Sequence, residues 1–296
     1  MSTSELRPTS IRILLADGVP EGLRIVEKPS WTGRAVVASR SQVDRALARE
    51  ELGQPGLYVL TGTSESGVRR LYIGEADVLR DRLKQHVAGK EFWTRLVAFM
   101  STNEGLNRAQ VLYLEVRLVD LVRDANQWEL ENGTDAVAPP LTEADKADAE
   151  WFLAEMLVIF PLLGIDAFET ATGQGRSLAL DKRHETPPLY LREAGAVAQG
   201  REVADGFVVL KGSRARTHEV ESIHNYLHDL RSQLLQRGVL AREGDGLVFT
   251  QDFRFDSPST AAGVLVGGST NGRRAWKDKR GRTLKALQQS RTEANE

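Results

Sequence analysis

The chain has 296 residues, 41% of them hydrophobic and 27% charged, with a formal net charge of −2 at pH 7. Such values exclude a fibrous or wholly disordered polymer and a globally basic nucleic-acid binder, leaving room only for local basic patches. With 0 cysteines there is no disulfide, no thiol nucleophile and no Cys-ligated zinc, as expected of a protein working in a reducing cytoplasm.

The length suggests two domains. The opening MSTSELRPTS has no apolar segment of the kind a secretory signal needs. Short strands are expected at 12–16, 23–26 and 34–38, separated by turn residues. Ser41 can cap a short helix that Gly53-Gln-Pro-Gly56 stops. Residues 1–52 therefore read as a strand-rich leader. Next come two apolar runs, 56–60 and 71–74, joined by the turn chemistry of TGTSESGVRR. They predict an antiparallel hairpin with its tip at 64–66, which would set Tyr58 opposite Tyr72.

A helix over 76–88, a strand over 95–100 and a long helix over 107–130 complete a unit at 53–135. From 123 to 150 the net charge is −6. Pro139-Pro140 breaks the chain there, and Thr142 with Asp145 forms a capping box for a helix to about 160. That helix makes 136–170 a helical extension. The most apolar stretch, 156–165, is ten residues long and interrupted by Pro161. A membrane span needs about 20 residues, so no membrane partner is expected.

Residues 171–205 read as a linker. Residues 206–290 read as a small separate α+β domain: a strand in GFVVLKG, a helix over 219–237 ended by Gly238, and a strand over 247–250. Ser257-Pro258 should cap a further helix, and Asn271-Gly272 should form a tight turn.

Charges fall in unexpected places. At 100° per residue, the inner stripe of the 76–88 helix reads Val78, Leu79, Arg82, Leu83, His86. The inner stripe of the long helix reads Val111, Leu112, Glu115, Leu118, Val119, Val122. A carboxylate at such a position costs several kcal/mol unless it is paired, protonated or metal-bound.

The order Gly56-Leu57-Tyr58, then Tyr72-Ile73-Gly74, then Arg82 and His86, then Glu115 within YLEVRLVDL resembles the GIY-YIG endonuclease family. Leu57 replaces the usual isoleucine, and the resemblance covers about 55–133. It implies a small three-stranded, antiparallel-type sheet flanked by helices, and phosphodiester hydrolysis with one divalent ion, Mg²⁺ or Mn²⁺. By the same resemblance Glu115 would hold the metal, and Arg82 would clamp the phosphoryl oxygens. Tyr58 or Tyr72 would position or deprotonate the attacking water, and His86 would orient the site or share the proton relay. Asn132 in LENG would close the site, although Asn126 lies close by. The segments GFVVLKGSRAR, GLVFTQD, SPSTAAGVLVG and NGRRAWK resemble a domain of unknown function often appended to such nucleases.

DNA is the expected partner, with RNA not excluded, and duplex cleavage would call for two copies of the chain. Phosphate contacts are expected from Arg69, Arg70 and Lys84, in a stretch of net charge +3, and from Arg273, Arg274, Lys277, Lys279 and Arg280, in a tail of net charge +5 over 269–296. The alternative is a catalytically inactive nucleic-acid-binding or protein-interaction module on the same fold.

Overall fold

The computed structural model describes residues 8–64, 67–103, 105–133, 136–170, 186–203, 206–221 and 223–293. The chain is α+β and divides into two units, one comprising Met1–Ser64, Arg69–Arg123 and Trp128–Phe168, the other Glu65–Val68, Asp124–Gln127 and Glu169–Glu296. Among the described residues, no helix is long and apolar enough to cross a membrane.

The first unit is built on a seven-stranded sheet. Its strands are β1 (Arg12–Leu15), β2 (Arg24–Glu27), β3 (Gly33–Ser39), β4 (Gly56–Thr63), β5 (Arg69–Ala76), β6 (Trp93–Ser101) and β7 (Glu129–Leu130), in the spatial order β1-β2-β3-β6-β4-β5-β7. All pairs are antiparallel except β5 with β7. The helices are α1 (Val43–Leu47), α2 (Leu79–Gly89), α3 (Arg108–Ala125) and α4 (Glu143–Leu162).

Alternation along each strand sorts the side chains onto two apolar faces. One face carries Ala35, Val37, Leu57, Val59, Ile73, Val97 and Phe99, and buries them with Leu114 and Leu118 of α3 and Phe152, Met156 and Phe160 of α4. The other carries Val36, Ala38, Tyr58, Leu60, Leu96 and Ala98, packed with Ala46 and Leu47 of α1 and Leu79 and Leu83 of α2.

Strands β4, β5 and β6 therefore belong to a seven-stranded sheet rather than forming a three-stranded sheet of their own. The strands of the 1–52 segment are not a separate leader, because β3 pairs with β6 over its whole length, from Gly33↔Ser101 to Ser39↔Arg95. The reason is burial. Ala35, Val36, Val37 and Ala38 are all buried, so both faces of β3 need cover.

The second unit holds another seven-stranded sheet, which is curled. Its strands are β8 (Leu189–Glu193), β9 (Ala196–Val203), β10 (Gly206–Val209), β11 (Arg214–Ala215), β12 (Leu240–Glu243), β13 (Gly246–Phe249) and β14 (Phe253–Phe255). β9 pairs with β8, β10 and β11 along its length. The helix Pro258–Val266 is buried, capped by the Ser257 hydroxyl, which accepts the Thr260 N–H.

Three expectations change here. The end of the expected linker forms β8 and β9, while 171–185 lies outside the described residues. The helix expected from 219 begins at Asn225, because the Glu219 carboxylate turns back to accept from Arg231 Nε at 2.9 Å. Asn271-Gly272 opens a short helix, Gly272–Ala275, rather than a tight turn.

Removing residues 1–52 should therefore unfold the first unit rather than trim it. A 53–170 fragment would bare the β6 edge and both flanking faces. It should show no cooperative transition in thermal circular dichroism, whereas the full chain should. Cooperative melting of the fragment would show that the leader is dispensable.

Candidate active site

The site grows from the register of the β4–β5 hairpin. Tyr58 faces Gly74 and Leu60 faces Tyr72, so the two tyrosines are diagonal neighbours on one face rather than opposite each other. A Cβ added to Gly74 would sit 2.4 Å from the Tyr58 hydroxyl. The glycine leaves the space through which the Tyr58 ring lies across β5.

That placement makes an aromatic cluster. Ring centroids of Tyr58 and Tyr72 are 6.1 Å apart, those of Tyr58 and His86 5.6 Å, and those of Tyr72 and His86 5.1 Å. The Tyr58 hydroxyl lies 3.2 Å from His86 Nδ1. Lys90 Nζ sits 4.0 Å above the Tyr72 ring, a cation–π contact.

Helix α2 turns its Leu79 and Leu83 to the core and presents His86, half-buried, to the tyrosines. Arg82 is not on the buried stripe as expected. It is exposed, one turn before His86 on the flank of the helix, because Leu79 and Leu83 alone centre the apolar face. From that flank its charge acts on Tyr58, Tyr72, His86 and Glu115.

Glu115 of α3 also sits off-centre. The buried stripe runs through Val111, Leu114, Leu118 and Val122, leaving Glu115 half-buried at its border. Tyr113 is buried as well, because α4 covers that arc and Glu150 accepts both the Tyr113 hydroxyl and Arg117 Nε at 2.6 Å. Asn132 closes the open side of β5: its Oδ1 accepts the Ile73 N–H at 3.0 Å and its Nδ2 donates to the Ile73 carbonyl at 2.8 Å. Asn126 instead has a φ of 46° and accepts from Arg237.

Burial dominates the electrostatics. It holds the Tyr58 phenol well above its ordinary pKa. It also raises that of Tyr72, against the hydrogen bond from Tyr58 and the charge of Arg82. Burial, with Arg82 and Lys90, pushes His86 down to about 4, so its imidazole is neutral at pH 7. Burial first, then the nearby Glu75, pushes the Glu115 carboxyl up to about 7.

Glu75 and Lys90 were missed as site residues, although Glu75 directly follows the Tyr72-Ile73-Gly74 motif and strand alternation puts it on the α3 side. Among the described residues, no three His, Asp or Glu side chains gather as a metal cage. The two carboxylates are nonetheless hard oxygen donors whose mutual repulsion a divalent cation would relieve.

The expected phosphate contacts separate into two groups. Arg69 pairs with Asp166 at 2.8 Å and stacks over Trp128, and Arg70 pairs with Glu129 and Glu131 at 3.0 and 3.2 Å. Both arginines are thus held by the fold rather than presented to a strand, because β7 and Trp128 cover the start of β5. Lys84, Arg273, Arg274, Lys277, Lys279 and Arg280 are exposed. Trp276 is core, packed on Phe207 at 4.4 Å and donating to the Pro258 carbonyl.

Comparison with known proteins finds one domain family: residues 189–288 match a family described as Domain of unknown function (DUF4357). The match starts within the segment expected to be linker. No curated protein matches the chain, and no solved structure does.

Two outcomes test the geometry. Gly74→Ala should destabilise the chain by about 1–3 kcal/mol through overpacking, measured by denaturant unfolding. In a Tyr58→Ala background the same change should cost under about 1 kcal/mol, because the clashing ring is gone.

The second concerns Glu115, whose folded pKa lies above its unfolded value. Ionising it costs the folded state stability as pH rises from about 4.5 to about 7. The full shift would amount to about 3.4 kcal/mol, and its partial exposure reduces this to about 1–2 kcal/mol. In EDTA, Glu115→Gln should thus be more stable than wild type by that amount at pH 8 and no more stable at pH 4. A difference independent of pH would refute the assignment.

Proposed function

We propose that residues 53–135 carry a GIY-YIG-type fold within the wider sheet and act as a metal-dependent endonuclease that hydrolyses phosphodiester bonds, in DNA before RNA. What supports the reading is one convergence: a single exposed guanidinium, Arg82, acts on Tyr58, Tyr72, His86 and Glu115 at one sheet edge.

Each residue has a role that its surroundings allow. The planar fork of Arg82, at the mouth of the site, receives the phosphoryl oxygens as negative charge builds on them. Tyr72, half-buried beside it, orients the attacking water. Tyr58 is too deeply buried to serve as a base, because desolvation keeps its proton on. In the Nδ1–H tautomer of His86, the imidazole donates to the Tyr58 hydroxyl and Tyr58 donates to Tyr72, so the pair orients Tyr72 toward the water, whose proton leaves to solvent. Asn132, bound to both backbone groups of Ile73, fixes β5 beside Tyr72 as a positioning residue.

Glu115, with Glu75 beside it, would hold Mg²⁺ or Mn²⁺. When bound, that ion supplies Lewis-acid stabilisation of the leaving 3′ oxygen. The cysteine-free composition suits a reducing compartment.

The test is incubation with plasmid, single-stranded and branched DNA, with and without Mg²⁺. Wild type should cut at least one of them with the ion and none in EDTA. Arg82→Ala and Glu115→Ala should each lose at least about 10²-fold in rate, and Tyr72→Phe about 10²- to 10⁴-fold. Metal-dependent cleavage retained by Arg82→Ala would overturn the reading.

A further inference from the structure

The second unit contains a cleft of about 390 Å³ lined by Tyr190, Arg192, Ala275, Lys277, Asp278, Lys279 and Gly281. Strand alternation explains one wall. Leu189 and Leu191 of β8 are buried, so Tyr190 and Arg192 stand together on the other face. The opposite wall is a tight loop locked by its own backbone. Tyr190 N–H donates to the Lys277 carbonyl at 2.7 Å, and Lys277 N–H returns to the Tyr190 carbonyl at 2.9 Å. Asp278 N–H donates to the Arg282 carbonyl at 2.9 Å and Gly281 N–H to the Asp278 carbonyl at 3.0 Å, with Gly281 at a φ of 81°.

The one carboxylate in the lining does not oppose an anion at full strength. Asp278 Oδ1 accepts the N–H groups of Arg280 and Arg282 at 2.9 and 2.8 Å, and Oδ2 accepts Arg282 Nε at 2.8 Å. What the cleft presents is three cations, Arg192, Lys277 and Lys279, beside one half-buried aromatic ring.

We propose that this cleft binds single-stranded nucleic acid, with Arg192, Lys277 and Lys279 on the phosphodiester backbone and Tyr190 stacking a base. A basic groove with an aromatic platform is the chemistry by which unpaired strands are held. The platform favours a single strand, because a duplex keeps its bases stacked inside and offers no face to Tyr190. The assignment deepens the nuclease reading by giving its substrate a second hold. It can be tested apart from cleavage, because binding is measured without metal.

The experiment is fluorescence anisotropy of a labelled thymidine dodecamer with the full chain in EDTA, from about 50 to 200 mM salt. Lys277→Ala/Lys279→Ala should weaken binding roughly tenfold and reduce the slope of log K against log salt by about 1.4, since two phosphate contacts are lost. Tyr190→Ala should weaken it roughly fivefold or more with an unchanged slope, and Tyr190→Phe should bind as wild type. The loop is held by backbone and Asp278 contacts, so these variants should melt with wild-type midpoints. Unchanged affinity and slope in the double variant would overturn the proposal. So would displacement of the dodecamer by a duplex, by phosphatidylserine vesicles or by pyrophosphate as effectively as by unlabelled strand at matched phosphate concentration. Failure of cleavage with binding intact would count against the nuclease reading alone.

Discussion

A tyrosine lying across a glycine sets the geometry of the candidate site. Because Tyr58 faces Gly74 in the β4–β5 ladder, its ring can pass over the neighbouring strand instead of standing beside it. Its hydroxyl then arrives at His86, and Tyr72, two residues back along β5, falls on the same face. A one-residue slip would send Tyr72 to the opposite face, among the side chains that pack on α3. The buried Leu57, Val59, Leu71 and Ile73 hold the register, since slippage would put Tyr58 and Tyr72 in their places among the side chains that pack on α3.

This arrangement has an electrostatic consequence. Tyr58, His86 and Glu115 are all pushed toward their neutral forms, chiefly by loss of water. At pH 7 the phenols and the imidazole are neutral and Glu115 is about half-ionised, with Arg82 and Lys90 as cations beside them. On the proposed reading, a phosphodiester would bring negative charge to Arg82, and a divalent ion would bring positive charge to Glu75 and Glu115. The cation would relieve the cost that burial and Glu75 already impose on an ionised Glu115.

Much of this was legible from residue order. Amphipathic spacing located α2, α3 and α4, and the caps at Thr142 and Ser257 hold in the structure, where each hydroxyl accepts the N–H three residues on. Orientation was harder to read. A helical wheel assumes one buried face, yet α3 is covered by the sheet on one side and α4 on another, which rotates its buried arc toward Leu114 and takes in Tyr113. The β8–β9 hairpin escaped because its turn is Ala194-Gly195, with φ of 50° and 86°. Alanine rarely adopts that conformation, so the usual Asn-Gly signal is missing. Nor could sequence show that Arg69 and Arg70 are held in ion pairs, since Asp166 lies far along the chain.

The remaining difficulty is that Glu115 and the tyrosines belong to opposite faces of one sheet. They can share chemistry only where the sheet ends. β7 pairs with β5 at Arg70 and Leu71 alone, and the Asn132 amide then takes both backbone groups of Ile73, as a strand residue would. A side chain that imitates a strand ends the ladder without leaving buried backbone groups unpaired. Past that point, at Gly74–Ala76, groups from the two faces come within each other's field: Glu115 adds to the burial that raises the Tyr72 phenol, and Arg82 on the far helix partly offsets the burial and Glu75 that raise the Glu115 carboxyl. The early stop of β7 therefore matters as much as any charged residue, because a seventh strand of full length would cover the edge and keep the carboxylates from the aromatic cluster.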